Sequence, residues 1–181
     1  MSANEYKNDK PTPVVPATLE EFMAQALAME IEAQQRYGEL ADSMEVHNNR
    51  EVAELFRKMS VIEGKHAAQI QAEMGWTEVP ANAKAPPWQG FEAAESIPID
   101  ELHYLMTPYH ALELALAAEQ RAESFFSHLV NLATVDSVRK AALELQEEER
   151  EHVELIKAWM AKVPQPDKNW AVDPDPPRYD E

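Results

Sequence analysis

The chain contains no cysteine among its 181 residues. That excludes disulfides, thiol catalysis, thiolate-bound zinc, cysteine-held iron–sulfur centres and any iron site built from four cysteines. Basic residues are scarce. Sixteen Lys and Arg stand against 33 Asp and Glu, a formal charge of −17, which argues against nucleic acid or an anionic membrane as partner. No apolar run approaches 18 residues, and Met1 to Lys10 is polar, so neither a transmembrane helix nor a secretory signal is expected. β-Branched residues are sparse and sustained alternation is absent, which disfavours strands. The expectation is a soluble, cytoplasmic, acidic chain, long enough for one domain with its own core.

What is present is proline, and its distribution divides the chain. All thirteen prolines avoid four stretches near 18–44, 49–75, 109–133 and 136–163. Proline in a helix interior costs about 3 kcal/mol, and these stretches are rich in Ala, Glu, Leu, Gln and Met, so each reads as a helix. Thr18 with Glu21 forms a capping box, Thr107-Pro108 an N-cap followed by a first-turn proline, Asp136 a cap for the fourth stretch, and Gly75 a C-cap for the second. Short turns near 44–49 and 133–136 make two helical hairpins. A connection of about thirty residues (76–107) joins them and lets the second hairpin cross over beside the first. The predicted fold is all-α, a ferritin-like four-helix bundle with a long crossover between helices 2 and 3. It spans 18–163, after a flexible segment 1–17 and before a Pro-rich acidic tail 164–181. A short extra helix is expected over Asp100–Met106.

The two halves resemble each other. With Glu30 set against Glu119, Tyr37 meets Phe126, Leu40 meets Leu129, and Glu63-Gly64-Lys65-His66 meets Glu149-Arg150-Glu151-His152. The first Glu and the second are 33 residues apart in one half and 30 in the other, as expected of a duplicated hairpin with one shorter turn. On helix 1 the residues Phe22, Ala26, Glu30, Ala33, Tyr37, Leu40 and Met44 share a face. Helix 2 presents Val52, Leu55, Met59, Glu63, His66 and Ile70. Helix 3 presents Leu112, Leu116, Glu119, Ala122, Phe126 and Leu129, and helix 4 presents Val138, Ala142, Leu145, Glu149, His152 and Ile156. Each is an apolar stripe interrupted once, near its middle, by Glu or by Glu and His.

Buried ions are costly, and four carboxylates in one pocket cannot all stay ionised unaided. Two divalent cations match four negative charges. Carboxylate oxygens with one imidazole per metal suit iron or manganese. Glu and His at i, i+3 lie on one helix face, so each Glu-x-x-His addresses one metal pair. Two metals about 3.5–4 Å apart can act jointly on dioxygen or peroxide. Glu-x-x-His alone is weak evidence in a chain with 25 Glu; its duplication on matched apolar stripes gives it weight.

The phrase Glu30-Ile31-Glu32-Ala33-Gln34-Gln35-Arg36-Tyr37, then Glu63-x-x-His66, then the repeat Glu119 and Glu149-x-x-His152, resembles the rubrerythrin branch of the ferritin-like diiron-carboxylate proteins over about 18–163. The resemblance implies two Fe ions (or Mn), with Glu30 and Glu119 as terminal ligands, Glu63 and Glu149 bridging, and His66 and His152 each capping one metal. It implies reduction of hydrogen peroxide or dioxygen, or oxidation of ferrous iron, in a homodimer. Storage, delivery or sensing of iron without turnover is the rival function, and a metal-free structural bundle a third. Rubrerythrins proper add a four-cysteine domain that feeds electrons; lacking it, this chain needs an external electron donor. Many also carry a second helix-3 carboxylate at the position of Ala122. Glu123 is one residue further round, leaving open whether it contributes.

Tyr37 is a candidate hydrogen-bond donor to a ligand carboxylate, and Phe126 opposite has no hydroxyl, so the two metals are expected to differ. His110 and His128, nine residues either side of Glu119, are expected on the surface, and His47 in a turn. In Glu147-Glu148-Glu149-Arg150-Glu151 only Glu149 is assigned inward. Gly64 is expected to permit close helix approach. The tail from Pro164, with Trp170, reads as a strap on its own bundle or on a second copy, and Pro86-Pro87-Trp88-Gln89-Gly90 as an anchor for the crossover.

Overall fold

The computed structural model describes residues 15–84 and 105–172. Four helices are present, α1 (Leu19–Val46), α2 (Arg50–Met74), α3 (Pro108–Leu132) and α4 (Asp136–Met160), and no strand among the described residues. They lie within a few residues of the stretches that proline avoids. The Pro86–Gly90 anchor and most of the short helix expected over 100–106 lie outside the described residues; Leu105 is in a turn and Met106 is irregular.

The helix ends follow from local chemistry. Thr18 Oγ1 accepts from the Glu21 backbone N–H at 3.1 Å, while Glu21 Oε2 accepts from Ala17 N at 3.0 Å, which satisfies N–H groups left over at the start of α1. Gly75 ends α2 with φ of 66°, and Trp76 N donates to Gln71 O at 2.9 Å. Only a residue without Cβ adopts that left-handed conformation freely. Asp136 is not the cap of α4: Val135 holds that position, and Asp136 is the first helical residue, ion-paired with Arg139 at 2.8 Å. Asn49 caps α2 by accepting from Val52 N at 3.4 Å, and its Nδ2 donates to Met106 O at 2.6 Å. One amide thus ties the α1–α2 turn to the segment that leads into α3.

Helix α1 packs on α2 and α3 on α4, and the two hairpins meet along α2–α3 and α1–α4. Two apolar clusters fill the bundle. One takes Phe22, Ala26, Leu27, Ala67, Ile70, Phe126, Leu129, Val138 and Leu145; the other takes Tyr37, Leu40, Val52, Phe56, Met59, Leu112, Ala118 and Ile156. The start of α1 and the start of α4 fall in the same cluster, and the starts of α2 and α3 in the other. The neighbours α2 and α3 are therefore parallel, as are α1 and α4. A parallel neighbour cannot be reached by a short turn: the chain leaving α2 must travel back along a helix roughly 37 Å long before α3 begins. The long connection is a geometric necessity of this arrangement.

The tail packs on its own bundle as far as it is described. Trp170 lies against the second cluster, and its ring is 3.8 Å from that of His110 at 33°. His110 is therefore half-buried rather than a surface residue; its Nδ1 accepts from Thr107 N at 3.1 Å and caps α3.

Candidate metal centre

Each helix is apolar at both ends of its inward face and carries a carboxylate where the two clusters meet. Glu30, Glu63, Glu119 and Glu149 expose 1%, 1%, 2% and 1% of their surface, and His152 exposes 7%. Four helices thus bring four carboxyl groups to one level, sealed above and below by Phe, Leu, Ile and Met side chains.

His152 is central to the contacts. Its Nδ1 is 3.2 Å from Glu119 Oε2, 3.5 Å from Glu149 Oε2 and 4.0 Å from Glu63 Oε1. Ligand atoms of Glu63, Glu119 and His152 all fall within 4.8 Å of one another. The Tyr37 hydroxyl donates to Glu119 Oε1 at 3.0 Å, so Tyr37 does more than pack. The equivalent pair in the duplicated half is Phe126 and Glu30, and a phenyl ring has nothing to donate. His66 stands beside His152, ring centroids 4.6 Å apart, with its side chain 18% exposed and its Nδ1 3.5 Å from Glu148 Oε2.

Burial pushes the Glu63 carboxyl up to about 7, and the charge of Glu119 adds to the rise; the Glu30 carboxyl alongside and the two imidazoles act in the opposite sense. Burial also works against ionisation of Glu119, but contacts with His152, Glu149 and Tyr37 outweigh it and hold this carboxyl below its ordinary value. Burial disfavours charge on His152 too, and is overcome by Glu119, Glu63 and Glu148, which raise its pKa. The charges of the pocket thus favour the protonated imidazole of His152 and the ionised carboxylate of Glu119, while burial favours the neutral carboxyl of Glu63.

The residues present fit a pair of divalent cations. Glu63 Oε1 and His66 Nδ1, both enclosed, make no hydrogen bond, an arrangement costly in a dry interior unless an electrophile takes the lone pairs. The donors are carboxylate oxygens and imidazole nitrogens, the set that suits iron or manganese.

The structure brings Glu30, Glu63, Glu119, Glu149 and His152 to one level, with His66 at the edge. Ala122 is fully buried. Glu123 is half-buried and its charge acts on Arg150. His128 is exposed and His47 caps α1, as expected. Gly64 accommodates a side chain rather than a helix: a Cβ there would meet Gln34 Nε2 at 2.7 Å. Glu148 is the residue sequence reasoning missed. Read as part of a solvated acidic run, it is instead half-buried against His66; the available signal was its position next to Glu149 on the edge of the stripe.

Comparison with known proteins agrees with this architecture. The profile of the family described as Rubrerythrin matches residues 21–160. The crystal structure of an uncharacterized conserved protein from Magnetospirillum magnetotacticum MS-1 is similar, with 37% identity and a TM-score of 0.63, covering 83% of this chain and 98% of that one. No curated protein matches the chain significantly. Family profile, bundle topology and the buried Glu/His level converge on one assignment: the chain belongs to the rubrerythrin family.

Proposed function

We propose that this chain is a non-haem dinuclear iron protein that reduces hydrogen peroxide or dioxygen, or oxidises ferrous iron, with manganese as the alternative metal. The observation that carries the reading is the convergence of four carboxylates, none more than 2% exposed, with His152 between two apolar clusters. Glu30 and Glu119 would serve as terminal ligands, Glu63 and Glu149 would bridge, and His66 and His152 would each hold one metal. When bound, two ferrous ions supply two electrons, the number that with two protons converts one hydrogen peroxide to two waters.

The chain's own residues set the conditions for that chemistry. Glu63, pushed up to about 7 by burial, gives up the proton it holds when a cation takes that proton's place, so loading is proton-coupled. The Tyr37 O–H fixes Glu119 by Oε1 and leaves Oε2 toward His152. The apolar clusters keep bulk water from both ends of the carboxylate level. With no cysteine in the chain, re-reduction calls for an external donor. A homodimer is the assembly we propose, testable by sedimentation.

The test is metal content after anaerobic Fe(II) loading and desalting, followed by peroxide consumption with a reductant. About two irons per chain are expected, with Glu63→Ala and Glu149→Ala each disturbing both because bridging ligands are shared. Two retained irons without turnover would favour storage or delivery. Negligible iron in the wild-type protein would overturn the reading.

A further inference from the structure

The duplication that relates the two hairpins breaks beside the pocket, at the residue before each Glu-x-x-His. Glu63 corresponds to Glu149 and His66 to His152, so the residue preceding each Glu also corresponds: Ile62 on α2 and Glu148 on α4. Across the α2–α4 face His66 meets a carboxylate, Glu148, whereas the position equivalent to Glu148 in the other half carries the aliphatic Ile62. Three residues beyond each His the pattern repeats, with Gln69 on one side and Leu155 on the other. The pair Glu148 and Gln69, joined by a hydrogen bond, thus has two aliphatic residues as its counterpart in the duplication.

We propose that Glu148 is a further metal ligand, belonging to the metal held by His66; the inference rests on the dinuclear reading above. His66 Nδ1 is enclosed and makes no hydrogen bond, yet Glu148 Oε2 stands 3.5 Å from it. Two donors bound to one metal at about 2.1 Å, at angles near 90–110°, lie roughly 3.0–3.4 Å apart. The same spacing recurs at His152, 3.2 Å from Glu119 and 3.5 Å from Glu149. Gln69 Nε2 donates to the other oxygen, Oε1, at 3.4 Å and so leaves Oε2 for the cation. The Glu148 side chain is 31% exposed, against 2% or less for the other four carboxylates, so it also opens the His66 metal toward solvent while the His152 metal stays enclosed. The two metals thereby differ in ligand number, in surrounding negative charge and in access.

Cobalt(II) titration of the full-length protein tests this, because binding affinity and ligand-field absorption are read together and neither depends on turnover. Glu148→Gln keeps the shape and the contact with Gln69; Glu148→Ile installs a residue like that of the equivalent position. In both, one of two binding steps is expected to weaken about 10-fold or more while the other stays within about 2-fold. The absorption of the weakened step should intensify as its coordination number falls. His66→Ala should weaken the same step, and the double variant should be non-additive with Glu148→Gln. Two cobalt ions bound with unchanged affinities and spectra in both Glu148 variants would overturn the role of Glu148 alone. Equal weakening of both steps would overturn its assignment to His66. A wild-type protein that binds no cobalt would overturn this inference together with the dinuclear reading.

Discussion

Tyr37 and Phe126 occupy equivalent places in the two halves, and only the first carries a hydroxyl. Its bond to Glu119, at 3.0 Å in a site closed to water, is of the charge-assisted kind. Tyr37→Phe should therefore cost about 1.5–3 kcal/mol in urea unfolding of the metal-free protein; a loss below about 0.5 kcal/mol would mean that the ring acts by packing alone. Glu63 makes a second prediction at this scale. Its carboxyl titrates near 7 in the folded chain against 4.5 when solvated, so the folded state holds the extra proton. Stability from that proton is complete below about pH 4.5 and is lost as pH rises through about 7, on the order of 3 kcal/mol. His152, also raised, works in the same direction, while Glu119, lowered, contributes stability above its ordinary value and loses it on acidification. Metal-free protein should be most stable near pH 5 and melt lower at pH 8. Melting curves in chelator across that range check it, and a flat profile would refute the buried, protonated Glu63.

At the level of elements, the hairpins are held in register by caps more than by surface charge. Arg57 pairs with Asp42 and Glu45 at 2.7 and 2.6 Å, but these groups are half or more exposed and contribute little. Asn49 is different, since it caps α2 and also binds Met106 O on the approach to α3. Asn49→Ala should cost about 2 kcal/mol, more than the roughly 1 kcal/mol of an ordinary cap, with denaturant unfolding as the measure. The helices themselves were legible in the sequence because proline avoidance and cap residues act within a few positions. One of the ends that sequence misplaced has a distant deciding partner. His110 looks like a surface residue until Trp170 folds over it from sixty residues away, whereas Asp136 misses its expected cap by one position for a local reason, its ion pair with Arg139.

The whole molecule is a pair of antiparallel hairpins forced into parallel contact, with the carboxylate level where their inward faces coincide. Four buried carboxylates at one level destabilise the bundle unless their charge is met, so metal binding and folding are linked. Chelation of the loaded protein should lower its melting temperature by several degrees, and re-addition of Fe(II) without oxygen should restore it. An unchanged curve after verified metal removal would count against cations at this level.

The sequence by itself determined the four helices, their antiparallel pairing within each hairpin and the burial of Glu30, Glu63, Glu119, Glu149 and His152, while His66, expected with them, lies at the edge. Helical periodicity and short turns are local, and a residue in the middle of an apolar stripe is carried inward with its neighbours. It also determined that these 181 residues supply no thiolate. The tertiary structure alone decided the contacts between helices that are not neighbours in the chain: Glu148 against His66, Gln69 against Glu148, Trp170 against His110, Tyr37 on Glu119. Those depend on how two hairpins are rotated against each other. That rotation is set by the packing of the whole core rather than by any stretch of sequence, and it decides which of the differences between the two halves reach the site.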